Sequence, residues 1–190
     1  YSLFLQHYKF IMKKLYFVIC FAPIALFAQA PSGYYEGTEN LTGFALKSKI
    51  HDIISAKSIS WDYGDLPGIY QQSDADKYYE NNGSLLDIYS EIPTGPDAFE
   101  YNFNQMIGSA SAEGLGWNRE HAVPQSTFNS NYPMYSDLFF VIPTDARINQ
   151  LRSNYPYGVA GGTTFHNFTN GSKIGNSTIP GSTYTGRVYE

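Results

Sequence analysis

The chain has 190 residues, 17% of them aromatic and 43% hydrophobic, with 12 Lys+Arg against 17 Asp+Glu and a single cysteine. That aromatic content excludes a disordered chain, and a net charge of −5 argues against a broad basic surface for nucleic acid, so any phosphate contact must be local. A lone cysteine excludes a disulfide framework and Cys-x-x-Cys redox chemistry.

Residues 1–11 precede a plausible start methionine and read as leader without structure. Met12-Lys13-Lys14 is a charged n-region, Leu15 to Phe27 an apolar h-region and Ala28-Gln29-Ala30 a small-x-small cleavage site, so residues 12–30 read as a secretory signal peptide. The apolar run contains Pro23 and falls short of the ~20 residues that span a bilayer, so the mature form is expected to carry no membrane anchor and to be secreted or periplasmic. Cleavage after Ala30 removes Cys20 and three of the 12 Lys+Arg, leaving residues 31–190 as one expected domain of net charge about −8.

Pro31 to Gly43 reads as an N-terminal arm. Leu46, Ile50, Ile53 and Ile54 lie at i, i+4, i+7 and i+8, which predicts an amphipathic helix over 44–55 with Thr42 as N-cap. His51 sits at the edge of that stripe and reads as structural or exposed. Trp61 to Asp76 is turn-rich, its acids expected on a solvated face. Residues 85–90 and 101–107 read as strands, broken apart by Pro93-Thr94-Gly95-Pro96. Asp87 and Glu91 beside them are a weak second metal candidate, with solvent-facing charges the favoured reading. Leu138 to Ile142 is a short apolar run typical of a buried strand; Pro143 is expected to end it and Thr144 to cap a helix closed by Tyr155-Pro156. Beyond Gly158 the Gly, Thr, Ser and Asn content predicts exposed hairpins, with His166 on the surface.

Two stretches carry chemistry. The first is Gly116 to Pro124, with Arg119, Glu120 and His121 in an apolar frame; the second is Thr144 to Asn154, where residues 145, 149 and 152 share a face if helical. A strand and a helix so decorated could face a common metal, as in a metal-dependent phosphodiesterase. His121 suits a general base. Glu120 and the Asn149 side-chain oxygen are hard ligands suited to Mg²⁺, and Arg119, Arg147 and Arg152 are candidate phosphate contacts. Consecutive strand residues point to opposite faces, so Glu120 and His121 can share a site only at a strand end or bend. A zinc hydrolase is disfavoured, because no second histidine stands at ligand spacing from His121. The rival reading is a secreted, non-catalytic, aromatic-rich binding protein for carbohydrate or another extracellular partner.

Trp117-Asn118-Arg119-Glu120-His121-Ala122-Val123-Pro124, then Ser136-Asp137-Leu138, Pro143-Thr144-Asp145, Arg147 to Asn154 and Tyr157-Gly158 together resemble the bacterial endonuclease I family of secreted and periplasmic nucleases. The resemblance implies an α+β fold, a mixed α/β single domain containing a ββα-metal (His-Me) finger, that cuts DNA and often RNA with little sequence preference. It also implies His121 as general base and Glu120 with Asn149 holding one divalent ion, usually Mg²⁺, with Mn²⁺ or Ca²⁺ as alternatives; Trp117, Asp145 and Asn154 would support them. Two departures stand out. Phe139-Phe140 replaces polar residues of many members and is expected to pack. Residues 122–146 contain no arginine, so a phosphate-contacting role would pass to Arg147 or Arg152. Tyr184 to Glu190 is similar to the start of a segment that continues in the family, so truncation after Glu190 is expected. Oligomeric state is not legible.

Overall fold

The two reactive stretches form one local unit. Strand β1 (Trp117–His121) pairs antiparallel with β2 (Val141–Asp145), in a register that sets Trp117 opposite Asp145 and His121 opposite Val141. Helix α3 (Ala146–Arg152) follows β2 directly; it and the two others are numbered in chain order. The computed structural model describes residues 30–190. The leader and nearly all of the signal segment lie outside the described residues, as does Cys20. Among the described residues, no helix is long and apolar enough to cross a membrane.

The chain divides into two compact units, the first ending at Ser58 and the second running Ile59–Glu190. In the first, helix α1 (Gly43–Lys57) carries the predicted stripe, with Leu46, Ile50 and Ile53 half-buried and Ile54 exposed. Thr42 is its N-cap residue, but its hydroxyl makes no capping hydrogen bond. In the second, helix α2 (Leu66–Ser73) has Pro67 in its first turn, where a missing N–H costs nothing, and buries Leu66 and Tyr70. These two pack with Leu85, Tyr101, Trp117 and Val141 into one core cluster. The Tyr70 hydroxyl donates to the Val141 carbonyl at 3.0 Å, which ties α2 to β2. A three-stranded antiparallel sheet, β3 (Ala160–Asn167), β4 (Lys173–Ser177) and β5 (Arg187–Tyr189), supplies the other cluster. There Phe168, Ile174 and Tyr189 pack with Tyr89 and with Ile148 of α3. The fold is therefore mixed α/β, with three helices and two small antiparallel sheets among the described residues.

Several expectations need correction. Residues 85–90 and 101–107 form isolated bridges, Leu85 to Ala75 and Tyr101, and Met106 to Trp117, rather than strands. Side chains compete for the backbone there: Asp87 Oδ1 accepts from Tyr89 N–H, and Gln105 Oε1 from Asn102 N–H, closing turns inside the apolar pattern. The strand expected at 138–142 starts at Val141, because the Phe140 and Val141 N–H groups both turn back to the Asp137 carbonyl. Pro143 lies inside β2 rather than ending it, tolerated because the two-stranded sheet leaves β2 an open edge. The cap of α3 is Asp145, whose carboxylate accepts from the N–H groups of Arg147 and Ile148 at 2.7 and 2.8 Å, and not Thr144. Phe139 does not pack: it is 92% exposed.

Two acids expected in solvent are buried instead. Asp76 accepts three backbone N–H bonds, from Tyr78, Tyr79 and Asn81, which hold its carboxyl below its ordinary range against the cost of burial. Asp87 accepts from the N–H of Asp145 at 2.8 Å, and burial pushes its carboxyl up to about 7. Glu91 is half-buried and, with Glu80 and Asp97, brings carboxylate oxygens within 4.8 Å of one another. Burial, then the neighbouring acids led by Asp97, push Glu91 up to about 7. A carboxyl raised in the folded state holds its proton longer there than in the unfolded chain, so it lowers stability progressively as pH rises from its ordinary range to about 7. Glu91→Gln is thus expected to raise stability at pH 8 by about 1 kcal/mol, after discounting for solvent screening, and to change little at pH 4. Urea unfolding at both pH values checks this, and an equal shift at both would refute it.

Candidate active site

Gly116 delivers the chain into β1 where only glycine fits: a Cβ there would stand 2.5 Å from the Gln105 carbonyl oxygen. Its carbonyl accepts from Ala146 N–H, and this fixes the start of α3 beside the start of β1. Trp117, wholly buried, anchors the strand, with its indole N–H donating to the Asn102 carbonyl at 3.0 Å. Asp145 is equally buried; besides capping α3 it accepts from the Tyr101 hydroxyl and from Gly114 N–H. Its side chain therefore faces the core, and of residues 145, 149 and 152 only Asn149 and Arg152 reach the cleft.

That cleft, of about 270 Å³, is lined by Arg119, Glu120, His121, Gln125, Asn149 and Asn154 among others. Glu120 is 2% exposed. Its Oε1 accepts from the Tyr89 hydroxyl at 2.9 Å and from Arg152 Nη1 at 2.5 Å, while Oε2 has no protein partner among the described residues. Burial pushes this carboxyl up; the Arg152 guanidinium and the Tyr89 hydroxyl pull it back. Asn149 turns its amide nitrogen toward β1, donating to Asn118 Oδ1 at 2.8 Å and to the Arg119 carbonyl at 3.2 Å. Both are acceptors, which fixes the amide orientation and leaves Asn149 Oδ1 as a second oxygen without a protein partner among the described residues.

His121 is the last residue of β1, so the chain bends after it and the alternation that should separate it from Glu120 is relaxed; both line the same cleft. Its Nε2 lies 3.1 Å from the Tyr135 carbonyl and its Nδ1 2.9 Å from Gln125 Nε2. A carbonyl can only accept, so Nε2 carries the proton and Nδ1 presents the lone pair. The ring is 5% exposed and is stacked on Tyr63 and Tyr135 at centroid distances of 5.5 and 5.6 Å. Burial holds the imidazole below its ordinary range, the Tyr135 carbonyl opposes this, and the Arg119 cation adds to it. The result is a neutral ring at neutral pH, the form that accepts a proton.

The three arginines differ. Arg152 is 1% exposed and committed to the protein, bonding Glu120, the His121 carbonyl at 3.0 Å and the Ala122 carbonyl at 2.8 Å. Arg119 lies 3.7 Å over the Tyr63 ring and donates to the Tyr63 carbonyl, with the cleft alongside. Arg147 does not line the cleft, and its half-buried side chain makes no hydrogen bond or ion pair among the described residues. Asn154 is exposed at the cleft edge, and His166 is exposed on β3. Sequence reasoning missed Gln125, Tyr63, Tyr89, Tyr135 and Tyr157. Gln125, four residues after His121 and just past Pro124, carried a local signal; the tyrosines reach the site only through tertiary contacts.

The match of a family model described as Endonuclease I to residues 42–190 covers the β1, β2 and α3 unit together with both core clusters. The chain belongs to the endonuclease I family. This member is also 28% identical over 172 residues to the extracellular ribonuclease of Bacillus subtilis (strain 168), an alignment covering 89% of this chain and 50% of the relative. The chain thus spans about half the length of the curated relative it matches. No solved structure matches it.

Proposed function

We propose that this endonuclease I family member is a secreted, divalent-metal-dependent, sequence-nonspecific endonuclease that hydrolyses phosphodiester bonds in DNA, RNA or both, with β1, β2 and α3 as its ββα-metal finger. The observation that carries the reading is that one cleft is lined by Glu120 and Asn149, each with an oxygen that has no hydrogen-bond partner among the described residues, and by a neutral His121 whose Nδ1 carries the lone pair. Two hard oxygens fit Mg²⁺, which keeps several waters and takes few protein ligands. When bound, the ion would neutralise charge on the phosphate and the leaving oxygen. His121 Nδ1 takes a proton from water, the water oxygen forms the new bond to phosphorus, and the opposite P–O bond breaks. Tyr63 and Tyr135 keep the ring from turning away, and the Tyr135 carbonyl steadies the imidazolium that forms. Arg119 brings positive charge to the cleft; Arg152 acts one step back by fixing the Glu120 carboxylate.

The name of the Bacillus subtilis relative makes RNA the first substrate to try and supports secretion, as does the sequence of residues 12–30. In the deciding experiment, purified protein is incubated with structured RNA and with supercoiled plasmid, with Mg²⁺, with EDTA, and with EDTA followed by excess Mg²⁺. Cleavage that EDTA stops and Mg²⁺ restores is expected on at least one substrate. Cleavage indifferent to EDTA would overturn metal dependence, and a folded protein that cuts neither substrate would overturn the nuclease.

A further inference from the structure

The lone pair that His121 would offer to water already has a partner. Gln125 Nε2 lies 2.9 Å from His121 Nδ1, and Gln125 lines the same cleft as Glu120 and Asn149. The direction of this bond is fixed from the ring. On the ring, the Tyr135 carbonyl requires the proton on Nε2, so Nδ1 must accept. With the ring so set, Gln125 must turn its NH₂ toward it, and its Oε1 then accepts from the Ser130 hydroxyl at 3.1 Å.

The segment around Gln125 is built to hold this arrangement. The Gln125 carbonyl accepts from the N–H groups of Phe128 and Ser130 at 3.2 and 3.1 Å. Asn129 and Ser130 both sit in the left-handed region, at φ 54° and 53°. Such residues cost free energy and persist only where their surroundings demand them. Here the two bring the Ser130 hydroxyl back onto Gln125, so a donor chain runs Ser130 to Gln125 to His121 to the Tyr135 carbonyl.

We propose that Gln125 is a positioning residue that selects which ring nitrogen of His121 faces the cleft and holds that place until the attacking water takes it. This rests on the reading of His121 as the base. The Tyr135 carbonyl alone does not make the selection, because a ring turned over about its Cβ–Cγ bond could donate to it from Nδ1–H and leave Nε2 toward the cleft, displaced from its working position. Gln125 favours the first orientation by one hydrogen bond, a bias of about tenfold. The amide gives way to water while the ring, stacked on Tyr63 and Tyr135, keeps the orientation it was given, so Gln125 acts on the orientation of the base and not on affinity for substrate.

The test uses ¹⁵N-labelled full chain as wild type, Gln125→Met, which keeps the length and removes the amide, and Ser130→Ala, which frees the amide to turn. Cleavage of RNA and plasmid with Mg²⁺ is measured together with two-bond ¹H–¹⁵N spectra of the histidine rings at a pH where they are neutral. In Gln125→Met, kcat is expected to fall about twofold with KM unchanged, because a ring without the bias spends about half its time turned over, and an Nδ1–H form of His121 of comparable population is expected to join the Nε2–H form of the wild type. Ser130→Ala should move both readouts in the same direction by less. An unchanged kcat, or a fall without the Nδ1–H form, would overturn the proposal. If the wild type cuts no substrate, the spectra still decide: the Nδ1–H form in Gln125→Met supports Gln125 while the nuclease reading fails, and a wild-type spectrum overturns it.

Discussion

His121→Ala is expected to slow metal-dependent phosphodiester cleavage by about 10²–10⁴-fold, the usual contribution of a positioned general base. Among the other lining side chains only Glu120, which burial pushes up to about 7, is basic near neutrality, and its second oxygen is assigned to the ion. Glu120 is committed on one oxygen to Tyr89 and Arg152, and the lining residues Gln125, Asn149, Gln150, Ser153 and Asn154 have no basic group near neutrality. The fold should survive, because the ring contributes stacking on Tyr63 and Tyr135 and two hydrogen bonds at a strand end, and not part of either core cluster. The check is kcat on RNA and plasmid, with circular dichroism to confirm folding. Retention of activity within about threefold would remove His121 from the mechanism, since even a modest general base contributes far more.

Arg152→Ala is expected to lower stability by about 3–5 kcal/mol, the cost of leaving one partner of a buried ion pair uncompensated. Arg152 and Glu120 are 1% and 2% exposed, and the guanidinium also satisfies the carbonyls of His121 and Ala122. Its loss leaves the carboxylate with the Tyr89 hydroxyl as its remaining donor and takes the guanidinium from two carbonyls in a place water reaches poorly, and it strips the cation from the Tyr157 ring, 4.6 Å away. Adding Glu120→Gln to Arg152→Ala should restore part of the loss, because an amide costs less to bury unpaired than a charge. Urea unfolding of the two variants measures both effects. A loss below about 1 kcal/mol would mean that the pair is solvated like a surface bridge.

The legible part of the site was the part held by short-range pattern. The Glu120-His121 pair at the end of a strand and Asn149 on a following helix could be placed from spacing, and the bend that lets adjacent residues share a cleft was foreseeable from Pro124. The role of Arg152 was not. A cation one turn after Asn149 reads as a phosphate contact until Tyr89, Tyr157 and Glu120 arrive from remote parts of the chain and bury it. Asp87 misled for the same reason: an acid in an expected strand looks solvent-facing, yet the Asp145 N–H it accepts from is 58 positions away. Phe139 failed in the opposite direction, because an apolar pair implies packing, while the Asp137 turn points Phe139 outward.

The sequence by itself determined the family, the mixed α/β composition, the helices α1 and α3, and the candidate donors Glu120, His121 and Asn149, since local propensity and motif spacing act over a few residues. Tertiary structure alone decided which nitrogen of His121 carries the proton, which oxygens of Glu120 and Asn149 have no partner among the described residues, and that Arg152 supports the carboxylate. Each of these depends on the partner opposite a polar atom, and those partners, Tyr89, Tyr135 and Arg152 on one side and Asn118 on the other, come together only when β1, β2 and α3 pack.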